Sequence, residues 1–266
     1  MTQRSDVAAG APSGDRDATA DAAPPTAAPA PPSTPPSADE IRRIGLSSAL
    51  REVTAPLHRQ AEKAGAISDI VRGRSSRAAY ALLLRNLHAV YEAIERGLDR
   101  HRDSPAVRHI VRDEVFRAGA IALDLENLCG GTAAAAAVPL LPEGRAYAAA
   151  VAEAAAGDGV GLIGHAYTRY LGDLSGGQTV SQVLARTLGL DAGMRNIYRF
   201  AGIGDLDAYK NGYRAAIDRA AFETERPDTI LAEAMRAFRL NIALFWAVQA
   251  AADGTATRAG APVPVA

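Results

Sequence analysis

The sequence predicts an all-α protein. Apolar residues recur every three or four positions in almost every ordered stretch, and no run shows the strict alternation of a half-buried strand. Capping residues or prolines stand where most of these stretches begin, and glycines stand where several end.

Residues 1–38 are dominated by Ala, Pro, Ser, Thr and Asp without any period, which predicts a disordered tail. Residues 39–252 are expected to form one helical bundle, since a chain of that length buries a substantial core without splitting, and 253–266 are expected to be a flexible C-terminal tail. The first helix is expected over Ala38 to Ala64, with Ile41, Leu46, Leu50, Val53, Leu57 and Ala61 along one side. Pro56 removes one donor within it, predicting a kink or a restart with Thr54 as cap.

Ser75 or Ser76 caps the second helix, whose stripe is Tyr80, Leu83, Leu84, Leu87, Tyr91, Ile94 and Leu98. Pro105 opens a third towards Leu128, and Gly130-Gly131 with the small residues after it reads as a loop. Pro142 opens a fourth that stops at Gly157, and a long pattern from Gly159 to Leu188 is closed by Gly189. Asp205 caps a helix through Ala220 and Asp228 one through Gln249.

With 29 basic and 30 acidic side chains the formal charge is −1, so no whole-chain field draws in nucleic acid or an anionic membrane. Cys129 is the only cysteine, which excludes an internal disulfide and fits a reducing cytoplasm. The N-terminus carries Asp6, Asp15, Asp17 and Asp21 and no apolar signal core. The apolar stretch Leu240 to Ala252 is too short to span a bilayer, so a soluble, cytoplasmic protein is expected.

Gly172, Gly176 and Gly177 lie at i, i+4 and i+5 and are read as opening one side of the long helix. Three interior glycines cost such a helix about 3 kcal/mol relative to alanine. Bare backbone admits either a closely packed helix or a flat ligand, and spacing alone favours the helix. Asp173 shifts the balance, because a carboxylate is expensive to bury against a second helix yet fits a wet pocket.

On the first helix, His58 shares a stripe with Glu62 at i+4 and Arg51 two turns earlier. A neutral imidazole is a common iron ligand, and a carboxylate at its other nitrogen fixes the tautomer. The alternative is a half-exposed histidine in a surface salt-bridge row. Of the other four histidines only His165 is a rival, lying seven residues before Gly172. Lys210 and Arg214 form an i, i+4 basic pair suited either to anionic groups at a pocket mouth or to a solvated face. Asn241 falls between Phe238 and Phe245 on an apolar face, where its amide needs partners.

The run His165-Ala166-Tyr167-Thr168-Arg169-Tyr170-Leu171-Gly172-Asp173-Leu174-Ser175-Gly176-Gly177-Gln178 resembles the distal helix of the heme oxygenases. Leu50 to Glu62 is similar to that family's proximal helix, and the similarity continues through Phe238 to Phe245. It spans most of residues 46 to 250. The resemblance implies heme b as both cofactor and substrate, held between a proximal and a distal helix.

Carried over by position, it implies that His58 is the iron ligand, with Glu62 beside it, and that His165 is outside the coordination sphere. Asp173 would organise a distal water network with Tyr91, Arg169 and Asn241, and Gly172 and Gly176 would contact the oxygen or heme plane. Arg51, Lys210 and Arg214, with Tyr167 nearby, would hold the propionates. Ala55 stands where the family often has a basic residue, and Pro56 interrupts the helix just before the ligand.

The implied reaction releases biliverdin, carbon monoxide and ferrous iron. No flavin or nicotinamide fingerprint is present, so electrons are expected from an external flavin reductase or ferredoxin. The protein is expected to be a monomer with no membrane anchor. Two rivals remain: a heme carrier, which keeps His58 but has no need of Asp173, and a packing module without heme.

Overall fold

The structure is a computed structural model that describes residues 36–259, with side chains described to 254. Most of the tail expected over 1–38 lies outside the described residues. Ten α-helices follow in order: α1 Ala38–Ile44, α2 Leu46–Ala61, α3 Gly65–Val71, α4 Arg77–Arg100, α5 Ala118–Cys129, α6 Thr132–Ala137, α7 Pro142–Ala154, α8 Leu162–Leu188, α9 Leu206–Ala220 and α10 Pro227–Ala259. Four short 3-10 turns link them, and the described residues contain no strand.

Helix α10 is the central post of the bundle. α2, α8, α3, α7 and α4 all pack along it, while α4 also packs on α7 and α5. α2 and α8 both lie against α10 with little direct contact between them, and the space they flank is taken as the candidate cleft. The core is continuous, and Tyr80, Tyr91, Tyr147, Tyr170 and Tyr213 are fully buried within it.

Several local starts are those the sequence predicts. The Ser76 hydroxyl accepts from Ala79 N–H at 3.1 Å and opens α4. Asp205 accepts from Asp207 and Ala208 N–H at 2.9 and 3.0 Å and opens α9. Gly189 closes α8 in the left-handed conformation.

Other boundaries differ, each for a physical reason. The helix expected over 38–64 is divided at Gly45, whose φ of 88° turns the chain, and α2 starts under a cap from a distant residue. Asp218 on α9 accepts from Ser47 N–H at 2.7 Å and from the Ser47 hydroxyl at 3.0 Å. Thr54 is therefore no cap: its hydroxyl donates back to Leu50 O at 2.7 Å, and α2 runs on through Pro56. α3 after it was not anticipated.

The third helix does not start at Pro105. Two 3-10 turns precede α5, whose first N–H groups, those of Arg117 and Ala118, donate to the Glu95 carboxylate on α4. The stretch after Gly130-Gly131 forms α6 instead of a loop, and the fourth helix ends at Ala154, before Gly157. α10 begins at Pro227, so Asp228 sits in its first turn and is not its cap, and the helix continues past Gln249 to Ala259. The expected C-terminal tail is thus helical over 253–259, and 260–266 lie outside the described residues. No helix among the described residues is long and apolar enough to cross a membrane.

Candidate active site

The α8 wall of the cleft is built from glycine. Gly172 and Gly176 are exposed, and a β-carbon at either would meet nothing within 4 Å. Gly177 does not share that face. At i+5 it lies 140° round the helix from Gly172 by the 100° step per residue, and a β-carbon there would fall 2.8 Å from the Tyr198 ring. Two of the three glycines therefore open the cleft, and the third seats a core tyrosine.

Beside them Asp173 is buried, contrary to the wet position expected from its charge. Its Oδ2 accepts from the Tyr91 hydroxyl of α4, and its Oδ1 lies 3.4 Å from Arg169 Nη2. Arg169 also donates to Tyr91 from Nε at 3.0 Å and Nη2 at 2.9 Å, and to Asn241 Oδ1 on α10 from Nη1 at 3.0 Å. Four side chains from three helices thus form one buried clasp, which is what makes the burial tolerable.

Burial pushes the Asp173 carboxyl above the usual carboxylate range, against the pull of the Arg169 charge and the Tyr91 hydroxyl. Tyr91 is likewise raised by burial. For Arg169 burial works against the charge, but Tyr91 and Asp173 outweigh it and hold the guanidinium protonated. Asp173 is therefore a carboxyl group whose proton affinity is enhanced in place.

The α2 wall carries His58, whose side chain is 56 % exposed. Its Nδ1 lies 3.5 Å from Glu62 Oε1, and its ring rests edge-on against Phe238 of α10 at 5.9 Å. Among the described residues its Nε2 has no hydrogen-bond partner. Arg51 is exposed on the same helix. The phenol of Tyr167, raised by burial, is held back by the Thr54 hydroxyl and by the charges of Arg214 and Arg51, so α2, α8 and α9 meet at this edge. Arg214 Nη1 donates to Asn211 Oδ1 at 3.0 Å. Lys210 is less free than expected: its ammonium pairs with Asp207 at 2.7 Å on its own helix.

The other histidines are engaged elsewhere. His165 is fully buried, with Nε2 3.0 Å from Glu233 Oε2 of α10. His101 Nε2 meets Ala155 O at 2.8 Å, while His88 and His109 lie near Glu92 and Glu223. Among the described residues no three His, Cys, Asp or Glu side chains converge as a metal site. A lone exposed histidine fits iron that brings its other ligands in a flat macrocycle.

Sequence reasoning missed Arg117. It is buried, donates to the carbonyls of Val115, Glu114 and Arg199, and lies 4.2 Å over the Phe200 ring. Its charge also acts on Asp173. Nothing in its local pattern distinguishes it from the other arginines.

Comparison with known proteins identifies the family. Residues 44–247 match the heme oxygenase family. Heme oxygenase 1 of Synechocystis sp. PCC 6803 is 34% identical over 202 residues, 76% of this chain and 84% of that protein. Human heme oxygenase 1 is 30% identical over 207 residues, 77% of this chain and 72% of that one. The crystal structure of the Synechocystis enzyme in complex with heme superposes with a TM-score of 0.72 at 32% identity, covering 81% of this chain and 99% of that one. The heme oxygenase of Leptospira interrogans gives 0.71 at 31% identity, covering 76% and 99%. With residues 44–247 matched by the family and a relative 34% identical over 84% of its own length, this chain belongs to the heme oxygenase family.

Proposed function

We propose that this chain binds heme edge-on between α2 and α8 and cleaves it to biliverdin, carbon monoxide and ferrous iron. The observation that carries the reading is the pair Gly172 and Gly176, two open backbone positions with nothing within 4 Å of a β-carbon, on the wall of a cleft whose other wall presents His58. The two glycines have no packing role in the protein itself.

His58 ligates the iron through Nε2, while Glu62 at Nδ1 fixes the tautomer and strengthens the ring as a donor. Arg51 and Arg214, converging on Tyr167, take the propionates, and Lys210 joins them by releasing Asp207. When bound, heme supplies both the iron at which dioxygen is activated and the meso carbon that is oxidised.

The distal side chains set the proton supply. Asp173 holds a proton readily because of its burial, and Tyr91 and Arg169 fix the direction of its carboxyl group. Asn241 anchors Arg169 in turn. With heme bound, this carboxyl would hold the proton that the chemistry at the heme consumes, fixed in position by Tyr91 and Arg169. Electrons come from a separate flavin reductase or ferredoxin, and the protein acts as a cytoplasmic monomer.

Hemin added to the purified protein, followed by a reductant in air, tests the reading. The Soret band should form and then disappear as bile pigment appears. Heme recovered intact after reduction in air would leave a carrier and remove the enzyme.

A further inference from the structure

Asp124 of α5 is a fully buried carboxylate with no part in the mechanism above, and none of its hydrogen bonds is to a cation. Its Oδ1 accepts from Asn196 N–H at 2.7 Å and from the Asn196 side-chain amide at 2.8 Å, and its Oδ2 accepts from Ile197 N–H at 2.9 Å. A buried charge without an ion partner is costly, so its retention calls for a reason. Three N–H donors aimed at one side chain need acceptors on both of its oxygens, which a carboxylate offers and an amide does not.

The turn Asn196–Tyr198 that Asp124 holds packs on α8. Its Tyr198 ring is what a β-carbon at Gly177 would strike at 2.8 Å, and Tyr198 O accepts from the Gln178 side-chain amide at 2.8 Å. Just upstream, Arg195 Nη1 donates to Ser181 O at 3.0 Å and to the Ser181 hydroxyl at 2.7 Å. Just downstream, Arg199 O accepts from Arg117 Nη1 at 2.9 Å, at the start of α5. The strap 195–199 is therefore tied to α5 by Asp124 and Arg117, and to α8 at Gly177, Gln178 and Ser181. α5 itself makes little direct contact with α8, so the strap is its route to that helix.

Resting on the heme-cleaving reading, we propose that Asp124 is a positioning residue for the reaction, setting through the 195–199 strap where the Gly172 and Gly176 face of α8 stands. Three glycines within six residues weaken this stretch of the helix and leave it few side chains to hold it. The open face cannot be braced from the cleft, because that space has to stay free for a ligand. The clasp fixes α8 as far as Asp173, and beyond it the brace comes from behind, where the Tyr198 ring is seated against the bare backbone of Gly177. Asp124 acts on the wall only through Asn196, Ile197 and Tyr198. A reacting wall displaced by about 1 Å can cost about a hundredfold in rate, which makes a rigid support behind it worth a buried charge.

The brace is testable without heme. By native-state hydrogen exchange, Asp124→Asn should speed the amides of 174–180 about tenfold more than those of 163–168 on the same helix. Equal acceleration along α8 would mean a general loss of stability and would overturn the brace. Gln178→Ala cuts the strap at its other end and should give the same local signature, with the double variant no faster than the stronger single one. Effects that simply multiply would place the two residues on separate paths and contradict the proposal. In the heme-loaded protein, Asp124→Asn should lower kcat about tenfold while KM for hemin stays within about threefold, because His58, Arg51 and Arg214 lie on other helices. Wild-type kcat in Asp124→Asn and Gln178→Ala would refute the positioning role and leave the heme reading intact, whereas a wild-type protein that consumes no heme removes both. Should Asp124→Asn fail to fold, Gln178→Ala decides alone, by its exchange pattern and its kcat.

Discussion

Gly164 and Gly172, two turns apart on α8, meet opposite surroundings. A β-carbon at Gly164 would fall 2.5 Å from Ala234 N on α10, whereas one at Gly172 would meet nothing within 4 Å. The same helix thus uses glycine once to pack on its neighbour and again to stay clear of one. Close packing and ligand access, which sequence spacing could not separate at the Gly172 cluster, are divided between different glycines.

Gly164→Ala should therefore destabilise the fold by about 1–3 kcal/mol through overpacking at the α8–α10 crossing. Gly176→Ala should instead be neutral or stabilising by up to about 1 kcal/mol, because it only improves helix propensity. Gly176→Leu should keep the melting temperature but weaken hemin binding about tenfold or more, roughly 1.4 kcal/mol. Thermal melting beside a Soret titration checks all three.

Asp173→Asn keeps the shape of the clasp but removes the acid, so hemin binding should persist while turnover falls about a hundredfold. Asp173→Ala should also cost about 1–3 kcal/mol, because Tyr91 and Arg169 lose a buried partner. Single-turnover kinetics and chemical denaturation separate the two effects. Full-rate biliverdin production by either variant would contradict the role given to Asp173.

Asp218→Ala removes the acceptor of two hydrogen bonds at the start of α2. A loss of about 1 kcal/mol is expected, the usual size of a helix cap, measured by urea denaturation. No change would show that Gly45 alone sets the boundary.

Those caps explain what the sequence disclosed and what it hid. Ser76 and Asp205 cap helices from within three residues, and both starts were legible. α2 and α5 are capped by Asp218 and Glu95 from other helices, and neither start was legible. The site divides the same way. His58 with Glu62, Asp173 and Asn241 stood out by spacing, whereas Tyr91 and Arg169 entered the site only through the family resemblance. The burial of Asp173, the turning away of Gly177 and the action of the Arg117 charge on Asp173 depend on which helices pack together, and no local pattern records that.

Glu233 gives a pH test. Its carboxyl is held below its ordinary value of 4.5, first by the hydrogen bond from His165. A lowered acid stabilises the fold above its unfolded value, and that contribution is lost as pH falls through the folded value. Below about pH 4.5 the melting temperature of wild type should fall more steeply than that of Glu233→Gln, and equal slopes would remove the coupling.

The axial ligand of bound iron tests the central claim most directly. Magnetic circular dichroism or electron paramagnetic resonance of the hemin complex should show imidazole ligation in wild type, its loss in His58→Ala, and its return when free imidazole is added. Imidazole ligation that persists in His58→Ala would place the iron elsewhere and contradict the cleft between α2 and α8 as the heme site.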